Sequence, residues 1–362
     1  TLGSAFTDLA FHGEDVPIVL RGSKLFSYTS TLLEAGTLTL SAEGIRVSVD
    51  SQDAIVFFAD GTSNRGLRTE IVSLSSLNAP EPGLAIEPNG LPFSVDDAFV
   101  DRDGNLLFFN KAQMSLFQWS PLTCTYTGSI PLIGVPDFAA YSKENHTAYF
   151  AYGSQIIREM NLNVPEPAEQ PLFSLPKPAT GLATAGEFIF ASDPSGAWHT
   201  HYTFSPTGQM IQSLDWNRRS RVFEWDPVKR RMYFFRDDTS PNDLHYETID
   251  ATGKITGSGE TPYHGDFSIN TPIRVSPSGA NLVIGSGVIF ETASMTKLAT
   301  TIPAFSDGIW WGDKLITLHL SGTRTLVRSR SAATLIEGPA LPLFQGTPIR
   351  ILALTPQTIA LV

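Results

Sequence analysis

Short apolar segments alternate with polar turns along the whole chain, and within the segments apolar and polar positions alternate as in half-buried β-strands. The clearest pattern is an apolar strand, a polar turn rich in Asp, Asn, Ser or Gly, and a second apolar and aromatic strand. Four copies occupy residues 47–60, 98–110, 138–152 and 222–238. Asp-Gly, Ser-Gly and Gly-Asp turns recur, and these are the residues that tight hairpins favour. We therefore expect strands joined by short turns and no long helix.

The pattern repeats at intervals of roughly 35 to 50 residues, the spacing of radially repeated folds. A further clear copy begins near Ile273, and weaker copies occupy residues 181–193 and 308–320. Most copies are followed by a second strand pair whose last strand is rich in threonine, a residue that suits pleated surfaces. The repeat predicts an all-β fold, a β-propeller of four-stranded antiparallel blades, with residues 1–362 forming a single domain.

The two chain ends leave the number of blades open. Residues 17–40 align with residues 281–302, so a blade begins near the N-terminus, whereas residues 349–362 supply only the first two strands of a blade. We expect about eight blades, with the ring closed by pairing of N-terminal and C-terminal strands, because closure removes exposed sheet edges. The alternative is seven blades, with residues 6–40 forming a complete blade of their own.

Two turns carry a resemblance to known propeller repeats. Residues 223–235 read FEWDPVKRRMYFF and residues 276–285 read SPSGANLVIG. Both segments resemble the repeats of the broad YVTN, NHL and YWTD group of propellers, and the resemblance extends over most of the chain in about eight degenerate copies. It implies a ring of four-stranded blades with binding surfaces on its two faces. The YWTD tetrapeptide itself is replaced by YFFR at residues 233–236.

Composition narrows the expected partners and location. Charged residues make up 17% of the chain, against about 25% in typical domains, which suits an extracellular, cell-surface or periplasmic β protein. The net charge of -11 argues against binding nucleic acid, which needs a basic footprint. No apolar run is long enough for a membrane-spanning helix, so membrane insertion is not expected. The single cysteine, Cys124, excludes an internal disulfide.

Metal binding is the first chemical possibility. His199 and His201 are two positions apart, so in a strand both imidazoles face the same side. His245 and His264 are candidates for further ligands from the next blade. The segment VDRDGN at residues 100–105 has oxygen-bearing side chains at alternate positions, as some calcium loops do. For both features the alternative to metal binding is that these residues only form ordinary strands and turns. We therefore expect no cofactor, and the one exception would be a calcium or transition-metal ion bound at these residues.

The remaining candidate site residues are aromatic side chains, carboxylates and a glycosylation sequon. Trp310 and Trp311 are candidates for ligand binding, although adjacent strand residues face opposite sides and aromatic rings commonly pack between blades. Asn145 begins a sequon that we expect to be exposed in a turn. Several carboxylates are candidates for acid–base chemistry on a glycoside, namely Asp237, Asp238, Asp243 and Asp266.

The sequence contains no nucleophile elbow, no P-loop and no dinucleotide-binding fingerprint, which disfavours the enzyme classes that use them. We therefore expect a non-enzymatic, secreted or cell-surface β-propeller that acts as a binding or scaffold module, alone or within a larger protein. Its expected partner is a protein or a glycan on one propeller face. Two alternatives are a carbohydrate-active hydrolase or lyase with its site at the central channel, and a structural self-assembling surface protein.

Overall fold

The structure, a computed structural model, consists of β-strands and turns. It describes residues 7–12, 16–21, 23–28, 34–40, 44–49, 53–59, 67–73, 93–123, 125–216, 219–236, 242–339, 341, 343–356 and 358–362. No helix occurs in these ranges, and hence none that is long and apolar enough to cross a membrane. The chain divides into two compact units, Thr1–Pro88 and Asn89–Val362, which are described separately. The single-domain expectation for residues 1–362 stays a prediction.

In the N-terminal unit, Thr1–Pro88, the described residues form two antiparallel sheets. An apolar cluster shared by the two sheets includes Ile18, Leu25 and Val47. The first sheet has four strands and the second has three: β1 (Asp8–His12), β2 (Val16–Arg21), β3 (Lys24–Tyr28) and β4 (Glu34–Thr39), then β5 (Gly44–Val49), β6 (Asp53–Ala59) and β7 (Leu67–Ser73).

The second unit, Asn89–Val362, is called the ring unit below. Its described residues form six four-stranded antiparallel sheets and a final two-stranded sheet. Sheet by sheet, the strands are β8 (Asp97–Val100), β9 (Leu106–Asn110), β10 (Ser115–Ser120), β11 (Thr125–Pro131); β12 (Phe138–Ser142), β13 (Thr147–Ala151), β14 (Ile156–Asn161), β15 (Glu169–Ser174); β16 (Gly181–Ala185), β17 (Phe188–Asp193), β18 (His199–Phe204), β19 (Met210–Trp216); β20 (Arg221–Asp226), β21 (Arg231–Arg236), β22 (Asp243–Ile249), β23 (Ile255–Glu260); β24 (Ile273–Val275), β25 (Asn281–Ile284), β26 (Ile289–Glu291), β27 (Thr296–Lys297); β28 (Asp307–Trp311), β29 (Lys314–Ser321), β30 (Arg324–Ser331), β31 (Leu343–Gln345); β32 (Ile351–Ala353) and β33 (Ile359–Leu361).

The second strand of each blade explains the apolar runs in the repeat. In β13 every residue is buried, and the adjacent rings of Tyr149 and Phe150 belong to clusters on opposite sides of the blade. Ile189 and Phe190 of β17 divide in the same way between two clusters. A strand that is covered on both faces has no solvent side, so it is apolar at consecutive positions instead of alternating.

Seven apolar clusters join each sheet of the ring unit to the next and so close a circle. At the closure, Leu352 of β32 packs in one cluster with Ala98 of β8 and Phe108 of β9. Arg350, next to β32, also forms a two-pronged ion pair with Asp97 of β8, at 2.6 and 3.1 Å. The first strands of the sheets surround the axis of the ring, and the fourth strands lie at its outside.

The even number of strands in each blade determines which loops lie on which face of the ring. Because a blade has four antiparallel strands, the chain leaves it at the face where it began, and each first strand starts at the same face. We call this the top face. It carries the links between blades and the loops between second and third strands. The opposite face, the bottom face, carries the hairpins between first and second strands and between third and fourth strands.

The all-β prediction and the prediction of four-stranded antiparallel propeller blades are confirmed. The described residues form seven four-stranded sheets, one three-stranded sheet and one two-stranded sheet, a set consistent with about eight blades. Seven of these sheets constitute the ring unit. Among the described residues β33 pairs only with β32, so closure by pairing of N-terminal and C-terminal strands stays a prediction, and the closure that the ring unit shows is by side-chain packing and an ion pair.

Candidate functional site

Charged side chains from the first strands of the blades gather around the axis at the top of the channel. The guanidinium of Arg274 in β24 binds Glu224 of β20 at 3.2 Å and Asp307 of β28 at 2.5 Å. The second carboxylate oxygen of Asp307 accepts the backbone N–H of Ile351 in β32 at 2.8 Å. With the Asp97–Arg350 pair, these contacts form a charged network that five of the seven inner strands or their flanking residues supply.

Glu224 reaches this network through an irregular backbone. The pairing of β20 with β21 shifts register between Arg221 and Glu224, and Val222 lies in this bulge with φ of 58°. A β-branched residue rarely adopts this left-handed conformation, and bulges re-aim the side chains that follow them. Burial raises the pKa of the Glu224 carboxyl above its ordinary value, which outweighs the opposing effect of the Arg274 and Arg350 guanidiniums. The channel therefore holds a carboxyl group that binds a proton more readily than a surface glutamate.

A cavity of about 570 Å³ opens on the top face beside the channel. Its walls are two blade-to-blade links and two loops, including Asn270, Gly285, Ser306 and Leu320. The His319 ring, also in the wall, is fixed by hydrogen bonds to the carbonyl oxygen of Ala304 at 2.8 Å and to the Thr317 hydroxyl at 2.9 Å. Burial lowers the pKa of His319. Burial therefore favours the neutral form of this imidazole.

Trp198 stands on the same face, in the loop between β17 and β18, with 63% of its surface exposed. The loop is nonetheless firmly held. Asp193 accepts hydrogen bonds from the backbone N–H groups of Ser195 and Lys177, at 3.0 and 2.9 Å. Asp215 accepts the N–H of the residue before the tryptophan at 3.1 Å. An exposed indole on a preorganised loop is the kind of group that anchors ligands at low entropic cost.

The four predicted metal-binding histidines are divided between two places. His201 is fully buried between blades, and its Nδ1 atom lies 3.1 Å from a carboxylate oxygen of the equally buried Glu247. His199 lies at the start of the same strand, β18. His245 and His264 belong to the next blade, where each meets a carboxylate of its own: Glu260 at 3.3 Å for the first and Asp243 at 3.4 Å for the second. Metal binding by these histidines stays a prediction.

The described part of the chain contains one group of three potential metal ligands, formed by Asp101, Asp103 and His146. It includes the segment that resembles a calcium loop. The Asp101 carboxylate already accepts the backbone N–H groups of Asp103 and Asn105, at 2.9 and 2.7 Å. It also accepts the side-chain amides of Asn105 and Gln118, at 3.0 and 3.3 Å. Closure of a hairpin turn by these bonds is enough to explain why Asp and Asn occur at these positions. Calcium binding here stays a prediction.

The predicted aromatic site residues, Trp310 and Trp311, lie near the bottom end of β28 and point to opposite sides of the strand, toward clusters shared with different neighbouring blades. The Trp310 indole is buried and donates to the carbonyl oxygen of Arg274 at 3.1 Å. The Trp311 indole donates to the carbonyl oxygen of Thr355 at 3.1 Å. Both rings thus have packing roles, and ligand binding by either stays a prediction.

The sequon differs from expectation. Asn145 is only partly exposed, and its side-chain amide donates to the carbonyl oxygen of Glu187 at 2.6 Å and to the Tyr149 hydroxyl at 3.3 Å. The sequon does lie in a turn, but its asparagine is partly rather than fully exposed, because the turn packs against the neighbouring blade. Cys124, Asp237 and Asp238 lie outside the described residues. Asp266 is exposed, and Asp243 is buried.

The charged network was not predicted from the sequence, although the sequence contains one signal of it. The tetrapeptide Thr-Pro-Ile-Arg occurs at residues 271–274 and again at residues 347–350. Its two arginines are Arg274 and Arg350, which occupy equivalent places at the start of their inner strands. A repeated polar residue at the same point of a structural repeat indicates a position on the channel.

No protein-family model matches the chain, and no curated protein matches it in sequence. Solved structures that share its fold include the following two. Dihydro-heme d1 dehydrogenase NirN, solved in complex with DHE, superposes with a TM-score of 0.52 at 12% identity, over 73% of this chain and 59% of NirN. The RRP9 WD40 repeats superpose with a TM-score of 0.53 at 10% identity, over 72% of this chain and 84% of RRP9. The fold is a β-propeller. At such low identity these likenesses show the fold alone, and the chain spans little more than half of NirN.

Asp243 provides a test of the top-face electrostatics through pH. Burial raises its pKa to about 6, and nearby Glu260 adds to the rise, whereas an unfolded aspartate has a pKa of about 3.9. A raised carboxyl pKa favours the folded state below the unfolded value, and that contribution is lost as pH rises through 6. From pH 4 to pH 7.5, Asp243→Asn should therefore gain about 2 kcal/mol of unfolding free energy relative to wild type, as urea titrations can measure. The exposed control Asp266→Asn should gain little, and a pH-independent difference for Asp243→Asn would contradict the assignment.

Proposed function

We propose that this chain is a secreted or cell-surface binding module whose ligand, a protein or a glycan, docks on the top face of the ring unit. The observation that carries the proposal is the convergence of three features on that face. They are the cavity of about 570 Å³, the charged network at the channel mouth and the exposed Trp198 on its braced loop. A concave site with a few placed polar groups and an aromatic anchor is the usual composition of a binding site.

Two of the bottom-face hairpins use their polar side chains to close their own turns, so these hairpins offer few groups to a ligand. Asp101 closes one turn by accepting two backbone N–H groups. Asp250 closes another by accepting the N–H groups of Thr252 and Lys254, at 2.8 and 3.0 Å. Such side-chain-to-backbone bonds use the turn's polar atoms internally. The longest link of the ring unit lies on the top face, where twelve residues, 261–272, separate β23 from β24.

The location proposed for the protein rests on composition. The low charged fraction of 17% and the net charge of -11 favour an extracellular, surface or periplasmic setting, and they disfavour nucleic acid as the partner. The partner proposed is accordingly a protein or a glycan.

A pair of surface variants tests the proposal. Purified wild-type protein is applied to glycan and peptide arrays, and the affinity for any ligand found is measured by titration calorimetry. Trp198→Ala is expected to weaken binding by about 30-fold, the effect of losing a typical aromatic anchor. Leu320→Asp, at a cavity-lining residue 55% exposed, should also weaken it, whereas Val228→Asp, at a bottom-face residue 58% exposed, should not. Equal loss in the top-face and bottom-face variants would contradict the proposal.

A second function, the carbohydrate-active hydrolase or lyase, is favoured by Glu224 alone. A carboxyl with a raised pKa close to a second carboxyl is the arrangement that glycoside cleavage uses, and Glu224 and Asp307 both bind Arg274. An assay of the purified chain on a panel of oligosaccharides decides between the functions. Turnover that Glu224→Gln abolishes and the exposed bottom-face control Glu291→Gln retains would establish the enzyme in place of the binding module.

A further inference from the structure

Two arginines of the outer part of the ring share a single carboxylate. Arg328 and Arg330 are two positions apart in β30, so their side chains leave the same face of the strand. Arg328 Nη1 lies 2.9 and 3.1 Å from the two carboxylate oxygens of Glu337, and Arg330 Nη2 lies 2.6 Å from one of them. Glu337 comes from the bottom-face connection between β30 and β31. None of these three residues lines the top-face cavity.

The charges and hydrogen-bond donors in this cluster do not balance. Two guanidiniums carry two positive charges against one negative charge, within a chain whose net charge is -11. The Arg330 side chain is only 4% exposed. Among the described residues, neither Nη1 of Arg330 nor Nε of Arg328 has a hydrogen-bond partner. Burial and the neighbouring Arg328 both lower the pKa of Arg330, while Glu337 raises it. An uncompensated buried guanidinium is costly, so a purely structural pair would normally be matched by its own carboxylate.

We infer that Arg328 and Arg330 form an oxyanion-binding site, for a small carboxylate, phosphate or sulfate group, and that Glu337 occupies it as an internal ligand. Paired guanidiniums present N–H groups in the fork geometry that binds planar or tetrahedral oxyanions with two bonds. Arg328 is 33% exposed and Glu337 is 44% exposed, so an incoming anion meets the carboxylate from solvent and exchanges with it. The inference goes beyond the proposed function, because it places a second ligand site on the bottom side of one blade.

Removing the internal ligand while keeping both arginines tests the site. Inorganic phosphate and acetate are titrated calorimetrically into the full chain, with chloride at equal ionic strength as the blank. Glu337→Gln is expected to bind at least one of the two anions at least 10-fold more tightly than wild type. The double variant Glu337→Gln with Arg328→Gln should lose that gain, and Glu337→Gln with Arg324→Gln, at an exposed arginine of the same strand, should keep it.

The two probes separate the ligand chemistries. Tighter binding of phosphate alone assigns the site to phosphate or sulfate groups, and tighter binding of acetate alone assigns it to carboxylates. No gain for either anion in a folded Glu337→Gln variant overturns the inference, as does a gain that Arg328→Gln leaves intact. If Glu337→Gln does not fold, phosphate binding by wild type at millimolar concentration must be lost in Arg328→Gln and kept in Arg324→Gln. Any other result there also overturns it.

Discussion

Replacing Gly287 by alanine is expected to lower the free energy of unfolding by about 3 to 5 kcal/mol, among the largest effects of a single substitution. Gly287 forms the turn between β25 and β26 with φ of 87°, and a Cβ atom there would lie 1.8 Å from the carbonyl oxygen of Ile302. That carbonyl belongs to the link that borders the cavity, and the Ile302 N–H donates back to Gly287 at 2.9 Å. The clash is with backbone, so it can be relieved only by moving the link.

Gly104→Ala is the matched control for this substitution. Gly104 has nearly the same backbone conformation, with φ of 85°, but a Cβ atom there would meet nothing within 4 Å. The loss of unfolding free energy in this control therefore reports only the cost of the left-handed conformation, about 1 to 2 kcal/mol. Chemical unfolding of both variants gives the difference directly. If the two variants are destabilised equally, the turn at Gly287 does not make the close contact with the link at Ile302.

Glu247→Gln is expected to destabilise the ring unit by about 2 to 3 kcal/mol, because it replaces one partner of a fully buried hydrogen bond. Glu247 and His201 are both fully buried, on the third strands of adjacent blades, and lie 3.1 Å apart. The aromatic rings of Phe190, Phe223 and Phe234 surround the imidazole at centroid distances of 5.1 to 5.9 Å. Water therefore has little access to solvate the histidine left behind.

The neighbouring pair of His245 and Glu260 provides the control for this prediction. Its geometry is similar, at 3.3 Å, but the Glu260 side chain is 47% exposed. Solvent screens exposed ion pairs, so Glu260→Gln should cost less than about 1 kcal/mol. The comparison is made by urea unfolding of the two variants at pH 7. A Glu247→Gln variant that is as stable as wild type would show that the buried pair is not formed.

Much of the fold was predictable because the repeat depends on the turn and burial preferences of residues that are close together in the chain. The Asp101 turn and the apolar runs of β13 and β17 follow from hairpin preferences and from burial on both sides of a strand. The packing of Trp310 and Trp311 on opposite sides of one strand follows from alternation alone. Features of this kind depend on residues close together in the chain, where the sequence pattern is informative.

The candidate site was less predictable because it joins residues far apart in sequence. Asp97 and Arg350 meet only when the ring closes. Glu224 reaches the channel only through a bulge that the local sequence does not predict. The histidine pattern predicted which side chains share a strand face, but not that His201 would meet Glu247 of the next blade. Register and blade-to-blade placement decide such contacts, and neither is encoded in local spacing.

Closure of the ring is the central claim, since the channel mouth and the top face exist only if the last sheet meets the first. Among the described residues that last sheet has two strands, β32 and β33, and an isolated pair of strands is marginally stable in water. Amide hydrogen exchange of the full chain, followed by mass spectrometry, tests the claim most directly. Closure predicts that the amides of β32 exchange as slowly as those of β17. Exchange of the β32 amides at the rate of an unprotected peptide, with β17 still protected, would show that the ring is open.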